Sequence, residues 1–253
     1  MAATRYEVRD GAAHITLDSP QNRNALSDAL VGELLTHLRS AMNHAAVRCV
    51  VLTGSGSAFC AGADLKNRGG GAGGGGRSPF VAVLDLIWNG PKPVIGAVNG
   101  AAFGGGVGLV AACDIAVASE SARFSFSEVR LGLIPAVISV VVIPKIGPNQ
   151  TMRLFLSGER FDGVRAVEYG LVHRAVPADQ LEHAVQAEVE QIAQAGPIAL
   201  AEAKQLVRTV SRLPMDEGFA WTSNKIASLF ASDEAAEGMS AFAEKRKPRW
   251  VAS

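Results

Sequence analysis

The chain has 253 residues, 48% apolar and 19% charged, and its 24 Lys and Arg balance 24 Asp and Glu to a net charge of zero. That is the composition of a globular protein with enough chain for a sizeable core. It excludes a global electrostatic attraction to nucleic acid or to an anionic membrane, so neither is expected as a partner.

In chain order, "RYEVRDGAAHITLD" (5–18) alternates apolar and polar residues around Asp10-Gly11 and predicts a β-hairpin. Ser27 can cap a helix on which Leu30, Leu34, Leu38 and Met42 recur at helical spacing. "VRCVVLTG" (47–54), "PVIGAVNG" (93–100) and "DIAVAS" (114–119) read as short buried strands. Between the last two, "AAFGGGVGLVAAC" (101–113) reads as a glycine turn feeding a short helix. "AVISVVVIPKIG" (136–147) is the most apolar run, but it is short and contains Pro144.

After about residue 145 helical patterns dominate. They are "TMRLFLSG" (151–158), "GVRAVEYG" (163–170) and "QLEHAVQAEVEQIAQA" (180–195), the last opened by a box-like Asp179…Glu182. "PIALAEAKQLVRTV" carries Pro197 in a favourable first-turn position, and a helical tail follows with "SDEAAEGMSAFAEKRKP" (232–248). "LVHRAVP" (171–177) reads as one more strand. The expectation is an α/β core over residues 1–195 and a helical C-terminal part over 196–253. No repeat of fixed short period appears. The only low-complexity segment is 69–76, in which seven of eight residues are glycine.

The N-terminal "MAATRYEVRDG" lacks the apolar core of a signal peptide, and no run reaches the ~18 apolar residues of a membrane span. Cys49, Cys60 and Cys113 are odd in number and match no metal or CxxC spacing, so they read as buried thiols in a reducing compartment. A cytoplasmic protein is expected.

Histidine is informative by its positions. None of the five lies between residues 45 and 172, where the glycine turns are. GxSxG, HExxH and Cys/His clusters are absent, so neither an α/β-hydrolase elbow nor a metal is expected. His37 and His44, seven apart on an amphipathic helix, read as structural or solvent-facing.

Two glycine features remain, "SGSAFCAGADLK" (55–66) and "NGAAFGGGVGL" (99–109). Each follows a predicted strand and looks able to open a helix, whose first N–H groups are unpaired. Side by side, two such starts direct two N–H groups at one oxygen, which is an oxyanion hole. The plainer reading is two tight turns of an α/β protein. A rival is the dinucleotide pattern Gly106-x-Gly108-x-x-Ala111, with Glu128 as the ribose acid. Residues 100–105 intrude between strand and helix, and the unit is mid-chain, which weighs against it. The third feature is "FSFSEVRLGLIP" (124–135), in which Glu128 stands among apolar and small residues. A carboxylate there has a raised pKa and can trade protons near neutrality; the alternative is a surface glutamate paired with Arg130.

Taken together and in order, "RNALS" (23–27), "FCAGADLK" (59–66), "KPVIGAVNGAAFGGG" (92–106), "CDIAVAS" (113–119), "SEVRLGLIP" (127–135) and "EGMSAFAEKRKP" (237–248) resemble the enoyl-CoA hydratase/isomerase, or crotonase, family over nearly the whole chain. The resemblance implies a spiral of ββα units and a helical C-terminal part that forms homotrimers, commonly hexamers as dimers of trimers. It implies an acyl-CoA thioester substrate and no separate cofactor, coenzyme A being part of the substrate. The family's oxyanion-hole amides map onto Ala63 and Gly105. Its CoA contacts map onto Arg23, Ala25, Ala61, Asp64, Leu65 and Lys66, and onto Phe242 and Lys245, which often reach CoA from a neighbouring subunit. That reading gives the basic tail of Lys245, Arg246, Lys247 and Arg249 a role in pairing with CoA phosphates.

Family hydratases usually carry two catalytic glutamates. The second maps onto Glu128, whereas the first position is Gly108. Glu128 must then serve both water and proton, or Ser125, Ser127 or a water must help. A second departure is "IPAVISVVVIPKIG" in place of a glycine-rich segment, a form similar to the branch that includes methylglutaconyl-CoA-type hydratases. The run at 69–76 is expected to be either a flexible flap over the acyl pocket or a tolerated insertion. The reading is an enoyl-CoA hydratase acting on a 2-enoyl-CoA. The alternatives are a Δ3,Δ2-enoyl-CoA isomerase using Glu128 alone and a non-catalytic acyl-CoA-binding paralogue.

Overall fold

The computed structural model describes residues 2–64 and 78–251. The expected hairpin forms, with β1 (Thr4–Arg9) antiparallel to β2 (Ala12–Leu17) from Thr4↔Leu17 to Arg9↔Ala12. The Ser27 hydroxyl accepts from the Leu30 amide and opens α1 (Asp28–Asn43), which buries Leu30, Leu34, Leu38 and Met42. His37 is structural, its Nδ1 3.0 Å from the Thr4 hydroxyl and its ring 5.2 Å from that of Tyr6.

Three ββα units follow. They are β3 (Cys49–Gly54), β4 (Ala58–Cys60) and α2 (Pro79–Asn89); β5 (Val94–Val98), β6 (Ala101–Phe103) and α3 (Gly105–Ala112); β7 (Ile115–Ser119), β8 (Arg123–Ser125) and α4 (Ala136–Ser157). The chain continues through β9 (Arg160–Asp162), α5 (Gly163–Glu168), β10 (Arg174–Val176), α6 (Leu181–Ala193), α7 (Pro197–Val210), α8 (Met215–Phe230) and α9 (Asp233–Ala243). The first strand of each unit enters a sheet of order β1-β2-β3-β5-β7-β10, and the second enters a sheet of order β4-β6-β8-β9. β3, β5 and β7 pair in parallel and are apolar without alternation because helices cover both faces. β4, β6, β8 and β9 have three residues each, too short for any periodicity to announce them.

α3 is buried from Gly106 to Ala112, as a helix apolar on every side must be. α4 joins the two apolar segments of 136–157 through Gly147, where φ is 76° and ψ 159°. The Asp179…Glu182 box does not form. A 3-10 turn at Ala178–Gln180 runs straight into α6, the Gln180 amide bonds the Pro177 carbonyl, and no side chain caps the helix. Pro197 opens α7 as expected. The three cysteines are buried and free, and burial pushes each thiol up to about 12. Among the described residues no helix is long and apolar enough to cross a membrane.

α7 is held to the core by Asp114. Its carboxylate accepts from the Val94 amide and pairs with Lys204 at 2.8 Å and Arg208 at 2.6 Å. The Lys204 ammonium also donates to the carbonyls of Ile87 and Lys92, and the Arg208 guanidinium lies 4.2 Å from the centre of the Trp88 ring. The Lys204 and Arg208 side chains are only 7% and 14% exposed, and among the described residues Asp114 is the carboxylate that both pair with. Asp114→Ala is therefore expected to destabilise the fold by about 3 kcal/mol, read from denaturant unfolding, because it leaves buried charge uncompensated.

Candidate active site

The strip Arg23–Leu26 lies along the chain that follows β4. The Ala61 amide donates to the Arg23 carbonyl at 3.0 Å and the Leu26 amide to the Gly62 carbonyl at 2.8 Å. Between them sits Asn24, buried, at φ 56°. Its carboxamide accepts from Ser19 and donates to the carbonyls of Ser55 and Ala58. Asn24 was not singled out from the sequence, although its place in "RNALS" and the Asn tolerance of left-handed backbone are a usable signal.

These bonds orient the first glycine turn. In a trans peptide the carbonyl and the following N–H point in opposite directions. The Gly62 carbonyl is turned to Leu26, so the Ala63 N–H is turned away from it. Gly62 has φ +87°, and a Cβ on it would stand 2.6 Å from the Phe103 carbonyl oxygen and 3.5 Å from the Gly105 nitrogen. Only glycine allows the two turns to touch here.

The second turn opens α3. The Gly104 amide bonds the Ser125 carbonyl and the Gly104 carbonyl accepts from Gly108, so the Gly105 N–H projects from the helix end. Among the described residues neither the Ala63 nor the Gly105 amide bonds a backbone acceptor. Both residues line one cleft of about 560 Å3 together with Glu128. The positive end of the α3 dipole favours negative charge at this point. The first turn's expected helix falls within 65–77, outside the described residues.

Glu128 lies in a 3-10 turn, Ser127–Leu131, ended by Gly132 at φ 70°. Its Oε1 stands 2.8 Å from where a Cβ on Gly104 would be, so the carboxylate rests on the second glycine turn. Oε2 is buried and meets no donor among the described residues. Burial pushes this carboxyl up, opposed in part by a hydrogen bond from its own backbone. The Arg130 partner considered for it is not made; Arg130 donates to the Ser157 carbonyl instead.

The cleft also gathers Leu26, Phe80, Leu133, Ile134 and Ile138, an apolar wall that sequence reading missed because its members come from four separate segments. Ala61 and Ser127 line it. Ser125 does not: its hydroxyl is buried and donates to the Gly158 carbonyl, so it is no proton donor for this site. Asp64 ends the first described stretch, and Leu65, Lys66 and the run 69–76 lie outside the described residues. Arg23 and Ala25 border the first turn but are not part of the cleft wall. Phe242, 88% exposed, and Lys245, at φ 55°, are on and just after α9, away from that wall within one chain. The basic tail is partly committed elsewhere, since Arg246 and Arg249 both pair with Glu237 and hold its carboxyl well below the usual carboxylate range. The glycines of the dinucleotide-like pattern are inside α3, where Gly106 packs against the Cys60 carbonyl and Gly108 against Ile138, so they serve packing and leave no phosphate cradle.

Two N–H groups and one desolvated carboxylate facing a common cleft can stabilise an oxyanion and move a proton beside it. The raised Glu128 pKa has a consequence for stability. A group whose folded pKa exceeds its unfolded one favours folding below the unfolded value and loses that contribution as pH rises through the folded value. Glu128→Gln removes this loss. The difference in melting temperature, variant minus parent, is expected to grow from acidic to neutral pH; a pH-independent difference would overturn the assignment of Glu128 as a desolvated acid.

The chain matches the model of the enoyl-CoA hydratase/isomerase family over residues 7–253. It is 36% identical over 254 residues to a protein of Rhodobacter capsulatus named a probable enoyl-CoA hydratase, covering 98% of this chain and 97% of that one. It is 33% identical over 265 residues to the carnitinyl-CoA dehydratase of Salmonella enteritidis, covering 99% of each. A solved structure from Legionella pneumophila bearing the names enoyl-CoA hydratase/isomerase and crotonase superposes with a TM-score of 0.90 at 40% identity, covering 99% of both chains. With paired ββα units, two touching glycine turns and a sequence match over nearly its full length, the chain belongs to the enoyl-CoA hydratase/isomerase family and has the crotonase fold.

Proposed function

We propose that this protein is an enoyl-CoA hydratase that adds water reversibly to a 2-enoyl-CoA thioester. The observation that carries this reading is Glu128, a desolvated carboxylate resting on Gly104, with the Ala63 and Gly105 amides open to the same cleft. The names of the relatives, enoyl-CoA hydratase and carnitinyl-CoA dehydratase, support a hydro-lyase.

In this mechanism the Ala63 and Gly105 N–H groups donate to the thioester oxygen. Water attacks the β-carbon, the C=C electron pair moves toward the carbonyl, and negative charge collects on the oxygen the two amides hold. Glu128 takes the proton of the attacking water and delivers a proton to the α-carbon as the enolate collapses. The sum is H and OH added across the double bond, with Glu128 returned to its starting form. Arg23, Ala25, Ala61, Asp64, Leu65 and Lys66 would contact CoA. Phe242 and Lys245 would contact it from a neighbouring copy in a homotrimer or hexamer assembled through the helices beyond residue 196.

A second reading has its own observation. Gly108 is packed under Ile138, so no second carboxylate stands at that position, and a single base suffices to carry a proton between C2 and C4 of a 3-enoyl-CoA. That would be a Δ3,Δ2-enoyl-CoA isomerase.

The test follows crotonyl-CoA by loss of its conjugated-thioester absorbance. Turnover by the parent is expected, with Glu128→Gln lowering kcat by roughly 10²–10⁴-fold. Turnover confined to a 3-enoyl-CoA would select the isomerase, and binding of CoA thioesters with no turnover of either would select a binding paralogue. A separate expectation concerns pH. Catalysis needs ionised Glu128, so kcat/KM falls as pH drops through its pKa, and burial puts that limb above the ordinary glutamate range. A limb at or below that range would count against Glu128 as the base.

A further inference from the structure

Gly108 lies one turn into α3 from Gly105 and is buried there. A Cβ built on it falls 2.3 Å from Ile138 Cγ2 and 2.9 Å from Ile138 Cβ, closer than carbon atoms pack. Glycine at 108 is thus the space that Ile138 occupies. Ile138 is in the first turn of α4, is 3% exposed, and lines the same cleft as Ala63, Gly105 and Glu128. Residues three apart share a helix face, so Gly105 and Gly108 look out on one side. Ile138 therefore stands beside the two-amide oxygen site, where the carbons next to a bound carbonyl must pass. Leu26 and Phe80 close the approach at Gly105, lying 2.6 Å and 3.5 Å from where its Cβ would be.

We propose that Ile138, seated on Gly108, is the specificity-determining residue for branching at the acyl carbons adjacent to the thioester. This rests on the CoA-thioester reading above. The branched side chain is fixed from behind by the helix backbone at Gly108, so it cannot retreat to admit a methyl substituent on the acyl chain. The pair works as a gauge: volume added at 108 pushes Ile138 into the cleft, and volume removed at 138 opens it. The substrate class that fits is a thioester slender at its α- and β-carbons.

The experiment measures calorimetric affinities for butyryl-CoA and 2-methylbutyryl-CoA, saturated thioesters that cannot be hydrated. The parent, Ile138→Ala, Ile138→Val, Gly108→Ala and the Gly108→Ala/Ile138→Ala double variant are compared, each checked for a cooperative melt. Ile138→Ala is expected to shift the affinity ratio toward the branched thioester on the order of tenfold, the discrimination that small volume changes in an apolar pocket supply. Ile138→Val should shift it the same way by less, Gly108→Ala the opposite way, and the double variant back toward the parent. A ratio unmoved in folded Ile138→Ala and Ile138→Val overturns the inference and leaves the CoA-thioester reading standing. If the folded parent binds neither thioester, that reading falls and the inference falls with it.

Discussion

The structure depends on a contact between two stretches of backbone. The turn at Gly62 and the turn at Phe103–Gly105 approach so closely that a single Cβ at Gly62 would overlap the Phe103 carbonyl. Everything at the cleft is referred to that contact. It sets the Gly62–Ala63 turn against the Phe103–Gly105 turn, and it needs the parallel pairing of β4 with β6 to bring the turns to the same level. The Arg23–Leu26 strip fixes the first turn by two backbone bonds, and the Ser125 carbonyl fixes the second. Both turns are thus main-chain groups held by main-chain groups, and no side chain has to be ordered to keep them in place.

Around this rigid centre the charged groups divide into two kinds. Asp114, Lys204 and Arg208 are largely enclosed and paired with one another, and they tie α7 to the core. Glu128 has one buried oxygen, Oε2, that meets no donor among the described residues. A buried carboxyl oxygen without a donor costs stability and persists only where the surroundings determine its position, here the 3-10 turn ended by Gly132 and the floor made by Gly104. The contrast separates charge paired within the fold from a partly buried carboxyl on the wall of the cleft.

Many elements were legible along the chain because local physics writes them there. The Asp10-Gly11 hairpin, the Ser27 cap with its Leu30-Leu34-Leu38 stripe, and the apolar β3, β5 and β7 follow from turn chemistry, capping and burial of parallel strands. The three-residue strands of the second sheet, β4, β6, β8 and β9, were not, since three residues carry no period, whereas β10 was found within "LVHRAVP"; the Asp179…Glu182 box misled because a 3-10 turn satisfied the helix start with backbone carbonyls. Glu128 and the two glycine segments could be named as candidates from residue type alone.

By itself, the sequence determined the family, the residue types at the two turns, and the presence of one carboxylate in place of two. Only the tertiary structure decided that these groups share a cleft, that Ser125 and Arg130 are spent on carbonyls of the 157–158 segment, and that Ile138 fills the space over Gly108. The physical reason is range. Propensity, capping and periodicity act over a few neighbouring residues, whereas contacts such as Gly62 with Phe103 or Gly108 with Ile138 join residues tens of positions apart and exist only once the ββα units have stacked.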